Sequence, residues 1–329
     1  MSVQVTDLQI LRDQLVLRQQ KLQKAITKAE TANLVLLLEQ VDKALEKIED
    51  NSYGICEHCH EVMGPERLLT DPLARVCLDC LRPEEARALE RDLELAARIQ
   101  NGLLPKQDFS AAGWQVSYHY EPAGTVSGDY VDLMAHGDEL YFMLGDVSGK
   151  GVAASMLMAN LHAMFRALVP TGLPLHQLVE KANRIFCEST LPTQYATLIC
   201  GRARPCGEVE ISNSGHLAPL HVAGSAITAI ESTTVPIGLF CDQQFTTTKI
   251  QFSPGDSLII YTDGLTESLD QNGSEYGARR LAQLLASCAS QGSRDLVEKC
   301  INDVLVFRGS SQKFDDQTLM ALHFNPVQH

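Results

Sequence analysis

The sequence is short of positive charge for its size. Its 329 residues contain 27 lysines and arginines against 41 aspartates and glutamates, which gives a formal net charge of -14. A chain this acidic has no broad basic surface for nucleic-acid phosphates, so nucleic acid is not expected as a partner. The same excess leaves carboxylates available for hard metal ions.

Long apolar runs are also missing. Residues 1–13 lack the basic segment and following apolar run that open a secretory signal. The most apolar stretch, residues 156–169, is interrupted by Asn160, His162 and Arg166 and is too short to cross a bilayer. We therefore expect a cytoplasmic protein that does not use a membrane.

Glycine and proline are absent from residues 7–50, which are rich in Leu, Gln, Lys and Glu. This composition predicts helix, and apolar residues recur there with helical or coiled-coil spacing. Two stripes are formed, Leu8, Leu11, Leu15 and Leu22, then Leu34, Leu38, Val41, Leu45 and Ile48. A short hairpin with its tip near residues 28–33 and a dimer seam would both bury them, and the sequence does not choose between the two.

Cysteine is not scarce, but only four of the ten cysteines are regularly spaced. Two Cys-x-x-Cys pairs, seventeen residues apart, match the pattern of a structural zinc site with four thiolate ligands. The ligands are Cys56, Cys59, Cys77 and Cys80. His58 and His60 are alternative ligands, although exposed loop positions suit them better. The remaining six cysteines are expected to be buried thiols in a reducing compartment.

A helix is predicted to connect this module to the rest of the chain. Pro83 and the two glutamates after it suit a helix start, and Pro105 ends the helix. Its apolar stripe consists of Ala86, Leu89, Leu93, Ala96 and Leu103. Such a helix is either a plain connector or a rigid element that transmits rotation or dimerisation, and both interpretations remain open.

After Trp114 the pattern changes to short apolar or alternating strands separated by glycine-containing turns. The predicted strands are residues 115–120, 139–144, 196–202, 209–212, 249–252, 257–261 and 318–324. The predicted helices are residues 152–168, 175–189, 278–289 and 293–307. Locally paired strands with helices gathered in blocks indicate an α+β layered sandwich.

Four aspartates stand where we expect apolar strands to end, and three of them adjoin glycine. They are Asp129, Asp146, Asp263 and Asp315. A single aspartate in such a place is most often a turn residue. Four together, brought to one cleft by converging strands, would repel each other and require a cation.

Two resemblances follow from these motifs. Residues 41–59, continuing to Cys77-Leu-Asp-Cys80, resemble the zinc finger of the DksA/TraR family, whose members insert a helical hairpin into RNA polymerase. The hairpin would be short here, and its tip would offer only Glu30 as an acidic residue. The resemblance therefore implies the finger fold and gives little support to the polymerase role.

The second resemblance covers about residues 95–325. Six segments occur in the order and spacing of the SpoIIE/RsbU branch of PPM-type (protein phosphatase 2C-like) phosphatases, and Ala96-Ala-Arg-Ile-Gln-Asn-Gly-Leu-Leu-Pro resembles the helix that precedes such domains. The segments are Ser127-Gly-Asp-Tyr-Val-Asp, Gly145-Asp-Val-Ser-Gly-Lys-Gly, Asn213-Ser-Gly-His-Leu-Ala-Pro, Pro236-Ile-Gly-Leu, Tyr261-Thr-Asp-Gly-Leu-Thr-Glu and Asp315-Asp-Gln-Thr.

This resemblance implies a PPM-type layered β-sandwich flanked by helices and a centre of two Mn²⁺ or Mg²⁺ ions. Asp146 would bridge the ions, the Val147 carbonyl would add a ligand, and Asp129, Asp263 and Asp315 would complete the shells. Asp146 and Asp263 are the implied catalytic residues. Water activated by the ions would attack the phosphorus of phosphoserine or phosphothreonine.

The sequence departs from the wider superfamily at the general acid. Ser148 stands where many relatives have histidine, as is usual in the SpoIIE-like branch. His216 is an alternative acid, although a packed or turn-stabilising role is favoured. Asp132 and Asp316 are either neighbours of the ligands or surface acids. Lys150 either contacts substrate phosphate or is a solvated turn residue.

The predicted organisation is a helical hairpin or coiled coil (1–50), a zinc finger (51–83), a linker helix (84–105) and a phosphatase domain (106–329). The predicted function is dephosphorylation of a regulatory protein under control of the zinc module. The resemblance suggests an anti-sigma-factor antagonist as substrate, and the N-terminal and linker helices could form a homodimer. The alternatives are a non-catalytic scaffold and a regulator that binds the transcription machinery through the finger.

Overall fold

The computed structural model describes most of the chain. The described residues are 11–12, 15–16, 19–20, 22–23, 32–50, 52–64, 67–68, 71–80, 83–191, 193–232, 234–288, 291–311 and 313–326. The chain divides into two compact units, Met1–Asp92 and Leu93–His329. The predicted hairpin tip lies mostly outside the described residues.

In the first unit, helix α1 spans Ala32–Glu49. Leu15 and Leu22, on helical residues that precede it, pack against Val41, Ala44 and Ile48 of α1. The Gln19 side chain also donates a hydrogen bond of 2.7 Å to Asp42. Leu15 and Leu22 of the first stripe are therefore buried against the second stripe within one chain, as a hairpin requires.

The second unit is built from the elements named next. Its helices are α2 (Pro83–Leu103, which begins in the first unit), α3 (Gly151–Leu168), α4 (Leu175–Ser189), α5 (Asp263–Thr266), α6 (Ala278–Ser287) and α7 (Ser293–Arg308). Its strands are β1 (Asp108–Ala111), β2 (Trp114–Glu121), β3 (Asp129–His136), β4 (Glu139–Val147), β5 (Ala196–Ala203), β6 (Glu208–Ser214), β7 (Leu220–Ala223), β8 (Ala226–Ala229), β9 (Thr248–Gln251), β10 (Ser257–Tyr261) and β11 (Gln317–Phe324).

The strands form two antiparallel sheets. One has the order β1-β2-β11-β10-β7-β8 and the other has the order β3-β4-β5-β6-β9. Helices α3 and α4 cover the outer face of the five-stranded sheet, while α6 and α7 cover the six-stranded sheet. The result is the predicted layered α+β sandwich.

Side chains alternate between two cores because successive residues of a strand point to opposite faces. In β4, Phe142 and Leu144 enter the core between the sheets, whereas Tyr141 and Met143 pack under α3 and α4. Both faces of β4 are covered, and its residues from Leu140 to Leu144 are accordingly all apolar and buried. Opposite Phe142, a Cβ on Gly201 would lie only 2.0 Å from the Phe142 ring, so glycine leaves the room that this ring occupies.

Most predicted elements are confirmed, with ends shifted by up to three residues. Strands β1, β3, β7 and β8 were not predicted. The expectation that the most apolar stretch is too short to cross a bilayer is wrong on length, because helix α3 with the following turn, Gly151–Thr171, is long and apolar enough to span a membrane by length and composition alone. In the fold it lies on the sheet through Ala154, Met158, Leu161 and Phe165.

Candidate metal sites and active site

The four regularly spaced cysteines meet in space. The sulfurs of Cys56, Cys59, Cys77 and Cys80 all lie within 4.8 Å of one another. The Sγ atoms of Cys59 and Cys77 are 3.7 Å apart, close to the separation of about 3.8 Å expected for two sulfurs on a tetrahedral zinc. His58 and His60 are exposed and are not needed to complete the set.

The backbone of the finger prepares the first of these thiols as a ligand. The amide of Cys77 donates to Cys56 Sγ at 3.3 Å. Hydrogen bonds from the backbone amides of Cys59 and Cys77 lower the pKa of the Cys56 thiol to about 6. A thiolate is the form that binds metal, so these residues fit a structural zinc site.

The other six cysteines only partly match the expectation of buried thiols. Cys200, Cys288 and Cys300 are buried, and Cys187 is half-buried. Cys206 and Cys241 are exposed, which corrects the prediction for these two. Both lie in loops between strands, where no second layer covers them. All ten cysteines are within the described residues and none forms a disulfide.

The predicted ligand positions of the second unit gather at one end of the two sheets. Asp129 opens β3 and stands directly opposite Asp146, near the end of β4, in the antiparallel register. Asp263 follows β10 as the first residue of α5, and Asp315 lies just before β11. The expectation that each aspartate ends a strand is therefore wrong for Asp129 and Asp315. Antiparallel pairing brings strand starts and strand ends to the same edge.

Electrostatics shows that these carboxylates are neighbours. Burial, followed by repulsion from Asp263, Asp315 and Asp316, raises the pKa of Asp146 to about 7. Burial and then the Asp146 charge raise the pKa of Asp129 well above its ordinary value. The pKa of Asp263 is raised by burial and then by Asp315. Carboxylates that resist ionisation together are typical of a site for cations.

The aspartates are spaced more widely than the four sulfurs. Among the residues that the structure describes, the cysteine cluster is the only group of three or more metal-type side chains whose ligand atoms all lie within 4.8 Å. The carboxylates thus gather at one end of the two sheets, a region named the carboxylate cleft below, without forming a comparably tight donor set. The assignment of individual ligands stays a prediction.

Two threonines hold Asp129 in place. The Thr262 hydroxyl donates to Asp129 Oδ2 at 3.0 Å, and the Thr318 hydroxyl donates a second, short hydrogen bond to the same oxygen. The Thr318 amide in turn donates to the Thr262 hydroxyl at 3.0 Å. Because Asp129 is fully buried, these bonds fix its orientation. The sequence analysis did not identify either threonine as a functional residue, although both lie within the quoted motifs.

Asp316 ties a loop to the site. It accepts hydrogen bonds from the Ala123 amide at 2.6 Å, the Ser127 hydroxyl at 2.6 Å and the Gly128 amide at 2.9 Å. Asp316 is therefore a neighbour of the predicted ligands rather than a surface acid, and it supports the segment that leads into Asp129. Nearby, a Cβ on Gly264 would lie 2.0 Å from the Asp316 carbonyl oxygen, so only glycine fits between these segments.

His216 is a packed residue, as the favoured interpretation held. Its Nδ1 lies 2.8 Å from the Thr197 hydroxyl, and its Nε2 lies 3.1 Å from the Tyr261 carbonyl. A carbonyl can only accept, so Nε2 carries the proton and Nδ1 accepts from Thr197. Burial lowers the pKa of His216 to about 4. The neutral ring therefore links β5 to the end of β10.

Asp132 and Lys150, for which the sequence allowed two roles each, both have hydrogen-bonding partners in the fold. Asp132 is completely buried and accepts two hydrogen bonds from the Arg166 guanidinium, at 2.9 Å from Nε and 2.5 Å from Nη2. It lies on the side facing α3. Lys150 Nζ lies 3.0 Å from Asp315 Oδ2 and 3.0 Å from the Phe314 carbonyl, with its side chain 62% exposed. Lys150 is thus an ion-pair partner of a predicted ligand.

This architecture is that of the protein phosphatase 2C class. The fold resembles the solved SiaA-PP2C domain of Pseudomonas aeruginosa with a TM-score of 0.64, at 17% identity over 73% of this chain and 98% of that domain. The family model described as Stage II sporulation protein E (SpoIIE) matches residues 136–325, more than half of the chain. The chain belongs to the SpoIIE family. A second model, the prokaryotic DksA/TraR C4-type zinc finger, matches residues 51–86.

Curated relatives agree with this division. Protein IcfG of Synechocystis is 26% identical over 71% of this chain and 42% of its own length. Phosphoserine phosphatase RsbP of Bacillus subtilis is 25% identical over 71% of this chain and 58% of its own length. The RNA polymerase-binding transcription factor DksA of Escherichia coli is 39% identical over 16% of this chain and 34% of its own length. The chain thus spans about half the length of IcfG and of RsbP.

Proposed function

We propose that this chain hydrolyses phosphoserine or phosphothreonine on a protein, using the carboxylate cleft at one end of the two sheets. One observation carries the proposal. Asp129, Asp146, Asp263 and Asp315 come from distant parts of the chain, yet antiparallel pairing and the turns beside it bring them to one end of the two sheets. Burial, and after it the charge of neighbouring carboxylates, raises the pKa of Asp129, Asp146 and Asp263. The similarity to a phosphoserine phosphatase, RsbP, supports the same reaction.

The cleft is suited to hard divalent cations because its side-chain donors are oxygens. Asp129, Asp146, Asp263, Asp315 and the Val147 carbonyl would hold two Mn²⁺ or Mg²⁺ ions. When bound, such ions lower the pKa of a coordinated water and neutralise charge on the phosphoryl group. Asp146 and Asp263 are the proposed catalytic residues.

The chain's own groups prepare this site. The Thr262 and Thr318 hydroxyls fix the carboxylate of Asp129, and Lys150 holds Asp315 by an ion pair. His216 does not serve as the acid for the leaving seryl oxygen, because it is buried and both ring nitrogens are engaged. The proton must come from another donor, such as solvent in the open cleft.

The proposed substrate is a cytoplasmic phosphoprotein, with an anti-sigma-factor antagonist as the specific candidate. The proposed domains are the helical hairpin or coiled coil (1–50), the zinc finger (51–83), the linker helix (84–105) and the phosphatase domain (106–329). The finger would hold one structural Zn²⁺, and the zinc module would control the phosphatase domain. Leu95 and Ile99, one helical turn apart on α2, are 52% and 60% exposed. Their exposure supports a homodimer through the linker helix, which the mass in solution tests.

The decisive experiment measures phosphate release from a phosphoprotein mixture in Mn²⁺. We expect Asp146→Asn to lower turnover by on the order of a thousandfold, because a carboxylate that would hold the metal ions is lost. Asp138→Asn, in an exposed turn at the other end of the β3–β4 hairpin, is the matched control and should retain activity. Equal phosphate release by wild type and Asp146→Asn would show that the carboxylate cleft is not the active site.

The same preparation separates the alternatives. A scaffold would bind a phosphoprotein without turnover in either protein. A transcription regulator would retain RNA polymerase through the finger, also without turnover, and would lose it in Cys77→Ser.

A further inference from the structure

The last turns of helix α2 carry a buried glutamine that reaches the candidate active site. Gln100 is only 5% exposed. Its Nε2 donates to the Ser127 carbonyl at 2.7 Å, and its Oε1 accepts from the Ser127 amide at 3.0 Å. One side chain therefore satisfies both backbone polar groups of a single residue, as a neighbouring strand would.

Ser127 is directly connected to a proposed ligand. Its hydroxyl accepts from the Asp129 amide at 3.0 Å and donates to Asp316 at 2.6 Å. The segment that leads into Asp129 is thus fixed on two sides, by Gln100 from α2 and by Asp316 just before β11. Neither contact alone determines both the backbone and the hydroxyl of Ser127.

The same segment also touches the second proposed ligand strand. The Gly128 carbonyl accepts from the Val147 amide at 3.4 Å. A Cβ on Gly128 would lie 3.1 Å from the Val147 carbonyl oxygen and 3.5 Å from Asp146 Oδ1. A shift of Ser127 and Gly128 would therefore change the spacing between Asp129 and the Asp146–Val147 end of β4.

Anchoring of the helix does not depend on this glutamine. Leu103 and Leu104, at the end of α2 and just beyond it, pack against the apolar cores on both sides of the five-stranded sheet. A simple connector would need only these apolar contacts. A buried amide costs free energy unless its hydrogen bonds are made. We therefore infer that the bonds to Ser127 do something other than anchor the helix.

We propose that Gln100 is a positioning residue for the carboxylate site. Through Ser127 it sets the position of Asp129 relative to Asp146, and it makes the placement of α2 a determinant of metal affinity. The consequence for turnover rests on the proposed function, whereas the consequence for metal binding does not.

The test uses the full-length chain with three variants. Gln100→Met keeps the length and removes both hydrogen bonds, and Gln100→Glu keeps the acceptor for the Ser127 amide but loses the donor. Asn101→Ala, which removes an exposed amide at the next position, is the matched control. Mn²⁺ affinity is measured by titration calorimetry and amide exchange by mass spectrometry.

We expect Gln100→Met to weaken Mn²⁺ binding about tenfold, the usual effect of removing a group that orients a metal ligand. Amide exchange should accelerate in residues 123–129 and not in β10 or β11. Gln100→Glu should lie between wild type and Gln100→Met, and Asn101→Ala should match wild type. If the protein turns over phosphoprotein, Gln100→Met should need about ten times more Mn²⁺ for half-maximal rate, with nearly normal kcat at saturation.

Two results would overturn the proposal. One is wild-type Mn²⁺ affinity in Gln100→Met. The other is an increase in exchange spread evenly over the domain, which would mean that Gln100 only stabilises the fold. Absence of Mn²⁺ binding by the wild-type chain would overturn it together with the proposed function. Mn²⁺ binding that weakens in Gln100→Met, without hydrolysis by wild type, would support the proposal and refute only the proposed function.

Discussion

The zinc finger and the metal site proposed for the carboxylate cleft represent two ways in which a chain can build a metal site. The finger takes four sulfurs from 25 consecutive residues, Cys56 to Cys80, and they lie within 4.8 Å of one another. The cleft takes oxygens from residues 129 to 315, and β-strand pairing brings them together. We therefore expect the zinc to stabilise the fold of the finger, whereas in the cleft the fold would form the proposed metal site before any ion binds. The two sites should therefore respond in opposite ways to metal loss.

The largest expected effect is loss of the finger. Cys77→Ser should release the zinc and unfold the first unit, because binding of about 10–16 kcal/mol is coupled to folding in small zinc modules. Zinc content and amide exchange in residues 52–80 measure this. Cys206→Ser, an exposed cysteine in the second unit, is the control. Stoichiometric zinc in Cys77→Ser would contradict the prediction, as would unfolding of the second unit.

Metal removal from the cleft should abolish function and leave structure. Dialysis against a chelator is expected to lower phosphatase turnover by on the order of a thousandfold, with full recovery on addition of Mn²⁺. Amide exchange in β4, β10 and β11 should stay slow, since apolar cores on both faces hold these strands. If the sandwich unfolds when the metal is chelated, the prediction that the second unit folds without metal, unlike the finger, is wrong.

His216 gives a smaller effect with a defined pH dependence. The folded state keeps this ring neutral with a pKa of about 4, whereas an unfolded imidazole binds a proton near pH 6.5. The unfolded state therefore binds more protons between these values, and the free energy of unfolding falls as pH drops from 6.5 to 4. The full contribution is about 3 kcal/mol.

The measurement for His216 is a difference between two proteins. Raised carboxylate pKa values in the same cleft act in the opposite direction, so denaturant unfolding of wild type should be compared with that of His216→Gln at each pH. We expect the wild type to lose stability faster between pH 6.5 and 4. Parallel curves would mean that His216 is already protonated in the fold.

The smallest expected effect concerns the finger's surface. Glu57 accepts hydrogen bonds from Lys47 at 2.7 Å and from Arg75 at 2.9 Å, but about a third of its side chain is exposed. Glu57→Gln should lower the stability of the zinc-loaded unit by less than about 1 kcal/mol. Thermal unfolding against Glu61→Gln, an exposed neighbour, checks this. A loss comparable to that of Cys77→Ser would mean that ion pairs rather than zinc hold the finger.

The two regions also differ in how far the sequence predicts them. Each ligand of the finger was predictable, because the Cys-x-x-Cys spacing that identifies a zinc site is visible in the sequence itself. The four cysteines are Cys56, Cys59, Cys77 and Cys80. In the phosphatase unit, β10 was predicted with correct ends because its central residues, Leu258, Ile259 and Ile260, form an uninterrupted apolar run. Strand β3 was missed because Asp129 and Asp132 interrupt its apolar pattern, and only tertiary partners explain their burial.

Supporting residues were the least predictable part of the site. Thr262, Thr318 and Gln100 matter through partners that are 27 or more positions away in sequence. Composition and periodicity contain no signal for such pairs, because they depend on how strands and helices pack. The four aspartates stood out because each adjoins a predicted apolar strand or a quoted motif and three of them adjoin glycine, and their number made a turn role for all four implausible.

The glycines around the cleft belong to two kinds, and this difference should be visible in any library of variants. Gly149 and Gly151 adopt positive φ angles with open space around them, so asparagine offers a partial substitute there. Gly264 adopts an ordinary backbone conformation, but the Asp316 carbonyl oxygen occupies the volume that any other side chain would need. Among active variants, we expect glycine and a few other residues such as asparagine at positions 149 and 151, but only glycine at position 264.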